Sequence, residues 1–412
     1  MMTTPRSRPA RLILDLSRLL SRLMHTTPTG VDRCEMAYAR GLLAAVPDRL
    51  SFAAVHPSGQ YGQLPRNAVL DFLDRTEERW DKAEARSRLA LRADAARDLV
   101  RLWPARQWRT RPETAGVYLQ ASPNNLTKPA ILARALQIER ARFVCLVHDL
   151  IPITFPEYAR PGGDQLHLRR VKTIAELADG IILNSHATLA ALSPYLDRHP
   201  RNRLTCVAHL GVGSPVAPAE PPIAVDKPYF VCVGTIEPRK NHLLLLHLWR
   251  DMAERHGPDN IPKLILIGRR GWENEQVIDL LERCPALSRC VEEHNGLNDG
   301  YVRRLMRGAC ALLLPSFAEG YGMPVSEALA LGVPVICSDL AALREAGGTI
   351  PDYLDPLDGR AWMEAIDGYC SPGAARRVAQ LDRMQSFVPT SWTQHIDLVL
   401  TMCDQLTETL PA

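Results

Sequence analysis

Short apolar segments alternate with longer helical stretches along most of the chain, and they do so in two series. The first series lies at 12–16, 51–55, 117–119, 143–147, 181–184 and 205–208, and the second at 230–234, 264–268, 311–314 and 335–337. Strands that alternate with helices form parallel sheets covered by helices on both faces. The sequence therefore predicts an α/β protein with two such sheets.

A stretch without hydrophobic periodicity separates the two series. It spans residues 211–222 and is rich in proline and glycine, which is typical of a linker. We therefore predict two Rossmann-like domains, one at 1–214 and one at 215–388. Residues 389–412 are predicted to form a separate amphipathic helix that is capped by Ser391.

The composition is that of a globular protein. The chain has 412 residues, of which 46% are hydrophobic and 23% are charged, enough for two domains of about two hundred residues each. No apolar run approaches the ~18–20 residues of a membrane-spanning helix, and Asp15, Arg18 and Arg22 interrupt the leucine-rich N-terminal stretch. The ten cysteines include no Cys-x-x-Cys pair, and several lie within apolar runs as buried thiols do. We expect a cytoplasmic protein.

The most informative motif follows the apolar segment 311–314. A loop leads to Pro324, which begins a short helix. The start of a helix presents free backbone N–H groups at the positive end of its dipole, and glycines let a ligand approach the backbone closely. The motif thus predicts a diphosphate site. Its predicted donor-binding residues are Gly320, Tyr321, Gly322, Met323, Val325 and Ser326.

Two carboxylates flank this predicted site. Glu319 lies in the loop and Glu327 in the first turn of the helix, so both could accept hydrogen bonds from hydroxyls on either side of a diphosphate. Those hydroxyls would belong to a sugar and a ribose. The alternative is an ordinary strand, loop and helix, with Glu327 favoured by the helix dipole.

A second motif follows the apolar segment 229–234. The loop Thr235–His242 contains Arg239 and Lys240, and the apolar helix 243–249 comes next. Open α/β sheets bind their ligands at the carboxyl ends of the strands, which is where this loop lies. Alone, the cation pair is more typical of a solvated loop. Together with a separate anion site, it predicts a phosphate clamp.

These two motifs resemble those of the retaining glycosyltransferases of family 4, which have the GT-B fold: two Rossmann-like domains that face each other across a cleft. Glu319 and Glu327 stand eight residues apart, as in the family's paired-glutamate motif, and 234–241 corresponds to its Arg-Lys diphosphate loop. The resemblance assigns Arg239, Lys240 and Gly234 to the donor diphosphate, Glu319 to the transferred sugar and Glu327 to the nucleotide ribose. It also implies that the C-terminal helix crosses back to the first domain.

Weaker matches lie outside the two motifs. Gly30 and Val31 resemble the acceptor-side glycine loop, although Gly30 is equally well explained as a turn residue. His148 follows an apolar strand where the family has its sugar-contacting histidine; the alternative is a structural histidine. Leu297 lies where the family holds the nucleotide base, and 268–271 either lines the nucleotide cleft or is a solvated loop.

The two halves of the chain differ in charge. Residues 1–214 contain 31 Lys and Arg against 20 Asp and Glu, whereas 215–412 contain 18 against 26. Basic character peaks at 82–112, where nine cationic residues face three acids and Trp103 and Trp108 are interleaved. We predict contact with an anionic membrane surface. An ordinary solvated helix face is the alternative, and because no nucleic-acid module is recognised around the segment, we predict no nucleic-acid partner.

The sequence gives no sign of a metal site. It contains no Asp-x-Asp and no His/Cys cluster with ligand spacing, so we expect no metal or other cofactor. Arg239, Lys240 and the helix amides would stabilise the leaving diphosphate instead. The resemblance implies that the anomeric configuration is retained, with a phosphate oxygen helping to remove the acceptor's proton and no side-chain nucleophile.

We therefore predict a retaining, metal-independent glycosyltransferase, cytoplasmic or peripheral on the inner membrane face. It would move a hexosyl unit from a nucleotide-diphosphate sugar to a glycan or lipid-linked oligosaccharide, as in lipopolysaccharide and other surface-polysaccharide synthesis. The wording of 234–241 most resembles mannosyl- and rhamnosyltransferases, which favours mannose or a deoxyhexose. The alternatives are a GT-B nucleotide-sugar epimerase and a catalytically silent GT-B partner subunit.

Overall fold

The computed structural model describes residues 10–82, 88–104, 114–213 and 221–408. Much of the predicted linker and part of the basic segment 82–112, including Trp108, therefore lie outside the described residues. The chain divides into two compact units. The first unit comprises the described residues within Met1–Leu150, Gln165–Gly211 and Trp392–Ala412, and the second those within Ile151–Asp164 and Val212–Ser391.

Each unit is built on one sheet, and strands are numbered here in chain order. The first sheet contains β1 Arg11–Asp15, β2 Leu50–Val55, β3 Tyr61–Gln63, β4 Gly116–Gln120, β5 Ala141–Val147, β6 Gly180–Leu183 and β7 Leu204–Val207. The second contains β8 Tyr229–Val233, β9 Lys263–Ile267, β10 Val291–His294, β11 Leu312–Leu314, β12 Val335–Ser338 and β13 Asp352–Leu354. All ten strands predicted from apolar segments are present, within one or two residues of the expected bounds.

Helices connect the strands. In chain order they are α1 Ser17–Ser21, α2 Gly30–Ala45, α3 Arg66–Lys82, α4 Arg88–Arg101, α5 Pro129–Glu139, α6 Ile151–Thr154, α7 Gly163–Leu177, α8 His186–Asp197, α9 His242–His256, α10 Glu275–Arg283, α11 Asp299–Gly308, α12 Met323–Ala330, α13 Ala341–Gly347, α14 Gly359–Asp367, α15 Ala375–Met384 and α16 Trp392–Glu408. Short 3-10 turns occur at Pro156–Tyr158 and Pro238–Lys240.

The first six strands of each unit are arranged in the same order, and the first sheet has a seventh strand. The first sheet runs β3-β2-β1-β4-β5-β6-β7 and the second β10-β9-β8-β11-β12-β13. Both follow the doubly wound Rossmann order, in which successive strands are added first on one side of the first strand and then on its other side. One strand departs from the parallel arrangement, since β3 pairs antiparallel with β2 at the edge of the first sheet. The reversal points lie between β1 and β4 and between β8 and β11.

The C-terminal helix α16 belongs to the first unit and packs there against glycines. A β-carbon on Gly41 of α2 would lie 2.7 Å from Cγ1 of Ile396, and one on Gly180 of β6 would lie 2.8 Å from Sδ of Met402. His395 is fully buried and hydrogen-bonded to the Tyr38 hydroxyl at 2.8 Å. Burial lowers the pKa of His395 to about 4, so α16 contributes a neutral histidine to this core.

None of the described helices is both long enough and apolar enough to cross a membrane.

Candidate active site

The two predicted motifs meet at the reversal point of the second sheet. β8 and β11 are adjacent parallel strands, so the loops that follow them leave the same edge of the sheet side by side. The chain continues from β8 to β9 on one side and from β11 to β12 on the other. Doubly wound sheets form their ligand-binding crevice at such a point, because the two loops diverge there.

Three of the predicted site residues contact each other at this point. Lys240 Nζ lies 2.5 Å from Oε1 of Glu319, and Arg239 Nη1 lies 2.8 Å from Oε2 of the same carboxylate. The hydroxyl of Ser316 donates a hydrogen bond to Glu319 Oε1 at 2.7 Å. Side chains of Lys240 and Glu319 are only 8% and 7% exposed, whereas Arg239 is 21% exposed. We call Arg239, Lys240 and Glu319, with Glu237, the charged cluster.

Glu237 joins this cluster and was not assigned a role from the sequence. Its Oε1 lies 2.6 Å from Nε of Arg239, and its side chain is 4% exposed. Burial raises the pKa of Glu237, opposed by the charges of Arg239 and Lys240. Its place in the motif, two residues before Arg239, was the available signal.

Electrostatics keep Glu319 ionised. Burial alone would raise the pKa of this carboxyl, but the charges of Lys240 and Arg239 outweigh burial and lower the pKa to about 2. The cluster thus contains two cations that are held in place by a permanently charged, buried carboxylate. Such fixed cations are suited to stabilise charge that develops on a ligand, because they need not reorganise when it appears.

Backbone geometry holds the two loops together. The Phe317 N–H donates to the Arg239 carbonyl at 2.7 Å, and Arg239 Nη1 donates to the Ala318 carbonyl at 2.8 Å. Gly234 has a φ of +149°, and a β-carbon there would lie 3.3 Å from Cε of Lys240. The glycine therefore leaves the room that the lysine side chain occupies, and its backbone conformation is strained for other residues.

Helix α12 begins at Met323, one residue before the predicted start at Pro324, and two further details of the prediction are wrong. Gly322 caps the helix with a φ of +108°, and a β-carbon there would lie 2.4 Å from Cδ2 of Leu343. The Val325 N–H is not free, since it donates to the Gly322 carbonyl at 2.9 Å. Glu327 lies in the second turn rather than the first, because the helix already begins at Met323.

Two of the side chains around α12, those of Ser326 and Tyr321, are buried. Ser326 is buried and its hydroxyl donates to the Ala346 carbonyl at 3.1 Å, which ties α12 to α13. Tyr321 is also buried, and burial raises the pKa of its hydroxyl. Glu327 is half-buried. The assignments of Glu327, Gly320, Tyr321, Gly322, Met323, Val325 and Ser326 to a donor remain predictions.

The segment 268–271 makes contacts that connect it to β8 and the loop after β8; that it lines the nucleotide cleft stays a prediction. A β-carbon on Gly268 would lie 1.8 Å from the Gly234 carbonyl oxygen, so only glycine fits between β8 and β9. The Ile236 N–H donates to the Arg269 carbonyl and the Gly271 N–H to the Ile236 carbonyl, both at 2.9 Å, which extends the sheet pairing. Arg270 is paired with Glu282 and Glu293. Leu297 follows β10 and is half-buried; its contact with a base remains a prediction.

His148 lies at the carboxyl edge of the first sheet, directly after β5. Its Nε2 is hydrogen-bonded to the Ala121 carbonyl at 2.8 Å, and since a carbonyl only accepts, Nε2 carries the proton. Asn184 Nδ2 donates to the His148 carbonyl at 2.7 Å. Burial lowers the pKa of His148, so the ring is neutral and Nδ1 is an acceptor suited to a sugar hydroxyl.

Gly30 is the first residue of α2 and is exposed. Thr29 caps the helix in a reciprocal capping box, in which the Thr29 N–H donates to Asp32 Oδ2 at 2.7 Å. Asp32 is also paired with Arg18 at 2.6 Å. The local structure thus explains why Thr29 and Asp32 surround Gly30; the acceptor-side role of Gly30 and Val31 remains a prediction.

A buried acid on α2 contacts α1, the short helix that follows β1. Glu35 is fully buried, and its Oε1 accepts a hydrogen bond from the Leu19 N–H at 3.0 Å. Burial, reinforced by the charge of Asp15, raises the pKa of Glu35 to about 8. The folded protein therefore holds this carboxyl in its neutral form at neutral pH.

We expect Glu35→Gln to stabilise the protein at alkaline pH. Unfolding releases the Glu35 proton between its usual pKa of 4.5 and its folded pKa of about 8, so wild-type stability falls as pH rises through that window. Glutamine cannot ionise. In urea unfolding the variant should exceed wild type by at least ~1 kcal/mol near pH 8 and match it near pH 5. Glu364→Gln, at an exposed position, should show no such pH-dependent gain; an equal gain at both pH values for Glu35→Gln would contradict the assignment.

Among the described residues, no group of three or more His, Cys, Asp and Glu side chains is arranged to hold a metal ion.

Comparison with known protein families identifies the region of the chain that contains both motifs. Residues 215–346 match the family described as glycosyl transferases group 1. This part of the chain is a glycosyltransferase group 1 domain. It contains the charged cluster and all of α12, so the predicted donor residues lie within the matched range.

Curated relatives are similar over part of the chain. The O-antigen chain mannosyltransferase B of Escherichia coli is 31% identical over 247 residues, which cover 54% of this chain and 59% of that protein. The serotype-specific mannosyltransferase WbdA of E. coli is 27% identical over 220 residues, covering 49% of this chain and 27% of WbdA. The chain thus matches about a quarter of WbdA and less than two thirds of mannosyltransferase B.

Solved structures are similar over nearly the whole chain. Anabaena HepE, determined in complex with UDP-glucose, has a TM-score of 0.60 at 18% identity and covers 97% of this chain and 98% of its own. Sucrose-phosphate synthase from Thermosynechococcus elongatus has a TM-score of 0.64 at 17% identity, covering 97% and 100%. The chain has the GT-B fold, as predicted.

Proposed function

We propose that the protein is a retaining glycosyltransferase that moves a hexosyl unit from a nucleotide-diphosphate sugar to a glycan or lipid-linked glycan. The observation that carries this proposal is the charged cluster at the reversal point of the second sheet, where Lys240 and Arg239 both contact Glu319. Two fixed cations would stabilise the leaving diphosphate, and the carboxylate would accept hydrogen bonds from the sugar hydroxyls.

Mannose is the proposed sugar, with a deoxyhexose such as rhamnose as the alternative. Support comes from the relatives named as mannosyltransferases. Two of them are named as O-antigen chain mannosyltransferases, which supports a role in the synthesis of a surface polysaccharide. The similar HepE structure contains UDP-glucose, which supports a nucleotide sugar as donor.

The reaction we propose needs no metal ion. Lys240, Arg239 and the start of α12 would take the place of a divalent cation at the diphosphate. The acceptor hydroxyl would attack the anomeric carbon on the face from which the diphosphate departs, so the sugar keeps its configuration. Its proton would pass to a phosphate oxygen, and neutral His148 would accept a hydrogen bond from the sugar.

The experiment that tests this function combines the purified protein with donor sugars and a mannan-type acceptor, with and without excess chelator. We expect a new glycosidic bond with the donor's anomeric configuration, determined by NMR, and an unchanged rate in chelator. An inverted product would refute the retaining mechanism. Activity that vanished with EDTA and returned with Mg²⁺ would refute the cationic account. Turnover of the donor without an acceptor would favour an epimerase, and no turnover a silent subunit.

We further propose that α4 contacts an anionic membrane surface. Leu89 and Val100 are 77% and 74% exposed, and Trp103, just beyond the helix, is 50% exposed. With the exposed Ala93 and Ala96 they recur every three or four residues, which places them on one stripe of the helix. Exposed apolar stripes on basic helices are typical of interfacial helices.

Two of the arginines of α4 are paired with acids, so they contribute less charge than the sequence suggests. Arg97 lies 2.8 Å from Asp94, and Arg101 lies 2.5 Å from Asp71. Paired arginines attract anionic lipid weakly, because their charge is already neutralised locally. The apolar stripe is therefore the better target for mutation.

We expect the triple variant Leu89→Gln, Val100→Gln and Trp103→Gln to bind anionic vesicles at least ~10-fold more weakly than wild type, since each apolar side chain contributes roughly 1.5–3 kcal/mol when buried. Co-sedimentation with vesicles of anionic and of neutral lipid measures this. A matched control changes Leu357, Val378 and Val388, exposed apolar residues of the second unit, to Gln. If the triple variant and the control bind alike, α4 is not the contact.

A further inference from the structure

Residues Ile151–Asp164 belong to the second unit, although they directly follow β5 of the first. They contain helix α6 and the 3-10 turn Pro156–Tyr158. The turn is closed by backbone hydrogen bonds, with the Tyr158 N–H donating to the Phe155 carbonyl at 3.1 Å and the Ala159 N–H to the Pro156 carbonyl at 3.1 Å. Tyr158 is therefore presented from a compact turn.

Tyr158 packs against the loop that carries Glu319. Its ring stacks on the ring of Phe317, with centroids 5.7 Å apart and planes inclined by 8°. Phe317 precedes Glu319 by two residues, and its N–H donates to the Arg239 carbonyl at 2.7 Å. Tyr158 thus stacks on Phe317, the residue whose N–H connects the loop after β11 to the loop after β8.

Tyr158 also holds the segment after β9. The indole Nε1–H of Trp272 donates to the Tyr158 carbonyl at 3.0 Å, and the guanidinium of Arg160 lies 5.0 Å from the Trp272 ring centroid. Trp272 directly follows Gly271, whose N–H donates to the Ile236 carbonyl at 2.9 Å. The same carbonyl accepts from Asn274 Nδ2 at 2.9 Å. Both sides of the loop 235–241 are thus bound to elements that Tyr158 contacts.

We propose that Tyr158 is a positioning residue: it fixes the Phe317–Glu319 loop and Trp272 against the loop 235–241, and so sets the geometry of Arg239 and Glu319. This positioning role rests on the proposed function. Small displacements of catalytic groups reduce rates strongly, so the ring stack acts on transfer although Tyr158 lies outside the charged cluster. Aromatic stacking and the backbone carbonyl carry the effect, whereas the tyrosine hydroxyl does not.

Amide hydrogen exchange tests the geometric half of this proposal without any turnover. Tyr158→Ala should lower the protection of the Phe317 amide at least ~10-fold relative to wild type, because its hydrogen bond to Arg239 loses the stack that supports it. Tyr158→Phe should keep wild-type protection. Tyr195→Ala is the control, since Tyr195 lies under Arg198 in the first unit at 5.7 Å. Unchanged protection of Phe317 in Tyr158→Ala would overturn the proposal.

Transfer kinetics test the functional half. We expect Tyr158→Ala to lower kcat by about 10- to 100-fold and Tyr158→Phe to keep the wild-type value. Trp272→Phe, which removes the indole N–H and its five-membered ring but keeps an aromatic side chain, should lower kcat less. In an Arg239→Gln background, Tyr158→Ala should lower kcat by less than about a further threefold, because both changes act through the geometry of the same Arg239–Glu319 contact. Full multiplicative losses, or wild-type kcat in a folded Tyr158→Ala protein, would overturn the positioning role. Absence of transfer by the wild type would instead refute the proposed function, while hydrogen exchange would still decide whether Tyr158 holds the loop.

Discussion

Lys240→Met is expected to reduce sugar transfer by roughly 30- to 1,000-fold, which corresponds to about 2–4 kcal/mol of lost transition-state stabilisation. Methionine keeps the length of the side chain but removes the charge that lies 2.5 Å from Glu319. The loss should appear mainly in kcat, because the negative charge on the leaving diphosphate grows in the transition state. Steady-state transfer with saturating acceptor measures it, alongside thermal unfolding to show that the variant is folded.

Lys263→Met is the matched control for this variant. Lys263 also has two acidic partners in the second unit, Asp226 at 2.8 Å and Glu292 at 2.9 Å, but it lies at the other end of β9 from the charged cluster. Its loss should cost less than about 1 kcal/mol of stability, as exposed ion pairs do. Transfer should be unchanged. Near wild-type turnover in a folded Lys240→Met protein would contradict the proposal that the charged cluster stabilises the leaving diphosphate.

Glu319→Gln is expected to have the second large effect, also roughly 30- to 1,000-fold in transfer. Glutamine preserves the shape of the side chain but removes the buried negative charge that holds Lys240 and Arg239 in place. Two cations would then face each other without their common partner, and breaking a buried pair usually costs about 3–5 kcal/mol of stability. Arg239→Gln should have a milder effect, because Arg239 is more exposed and the variant still has Lys240 beside Glu319.

The pH dependence of stability separates a charge effect from a packing effect. The folded pKa of Glu319 is lowered to about 2 from its usual 4.5, so its stabilisation is present above pH 4.5 and is lost as pH falls towards 2. Urea unfolding should therefore show the deficit of Glu319→Gln at pH 7 and a much smaller one near pH 3. A deficit that is the same at both values would indicate that packing, and not charge, is responsible. Glu292→Gln, at a more exposed pair, serves as the control.

Strands with continuous apolar sequences were predictable, and the missed strands share one property. β3, β10 and β13 are all edge strands, with the sequences Tyr-Gly-Gln, Val-Glu-Glu-His and Asp-Tyr-Leu. An edge strand pairs with a neighbouring strand on one side only, and most side chains of these three strands are half-exposed, so no apolar run is needed. The strand order could not be read from the sequence either, because it depends on which strands pair over long distances in the chain.

The candidate site shows the same division. Sequence motifs identified Arg239, Lys240 and Glu319, because the cation pair and the predicted anion site each follow an apolar strand and together resemble the loops of one family. Their mutual contacts follow from the adjacency of β8 and β11, a tertiary feature. The sequence did not show that Ile151–Asp164 belongs to the second unit, for a similar reason. Tyr158 contacts Trp272 across 114 residues of chain, and no local pattern indicates such a contact. The hydrogen bond of the Val325 amide depends on the tight first turn of α12, which a helix-start pattern does not specify.

The measurement that tests the central claim most directly is calorimetric binding of matched nucleotides: GDP against GMP and UDP against UMP, each to wild type and to Lys240→Met. If the charged cluster binds the donor diphosphate, one of the two diphosphates should bind wild type at least ~10-fold more tightly than its monophosphate, and Lys240→Met should lose most of that preference. The corresponding nucleotide sugar should also raise the melting temperature of wild type more than that of the variant. Equal affinity for di- and monophosphates in wild type, or the same preference in Lys240→Met, would contradict the account.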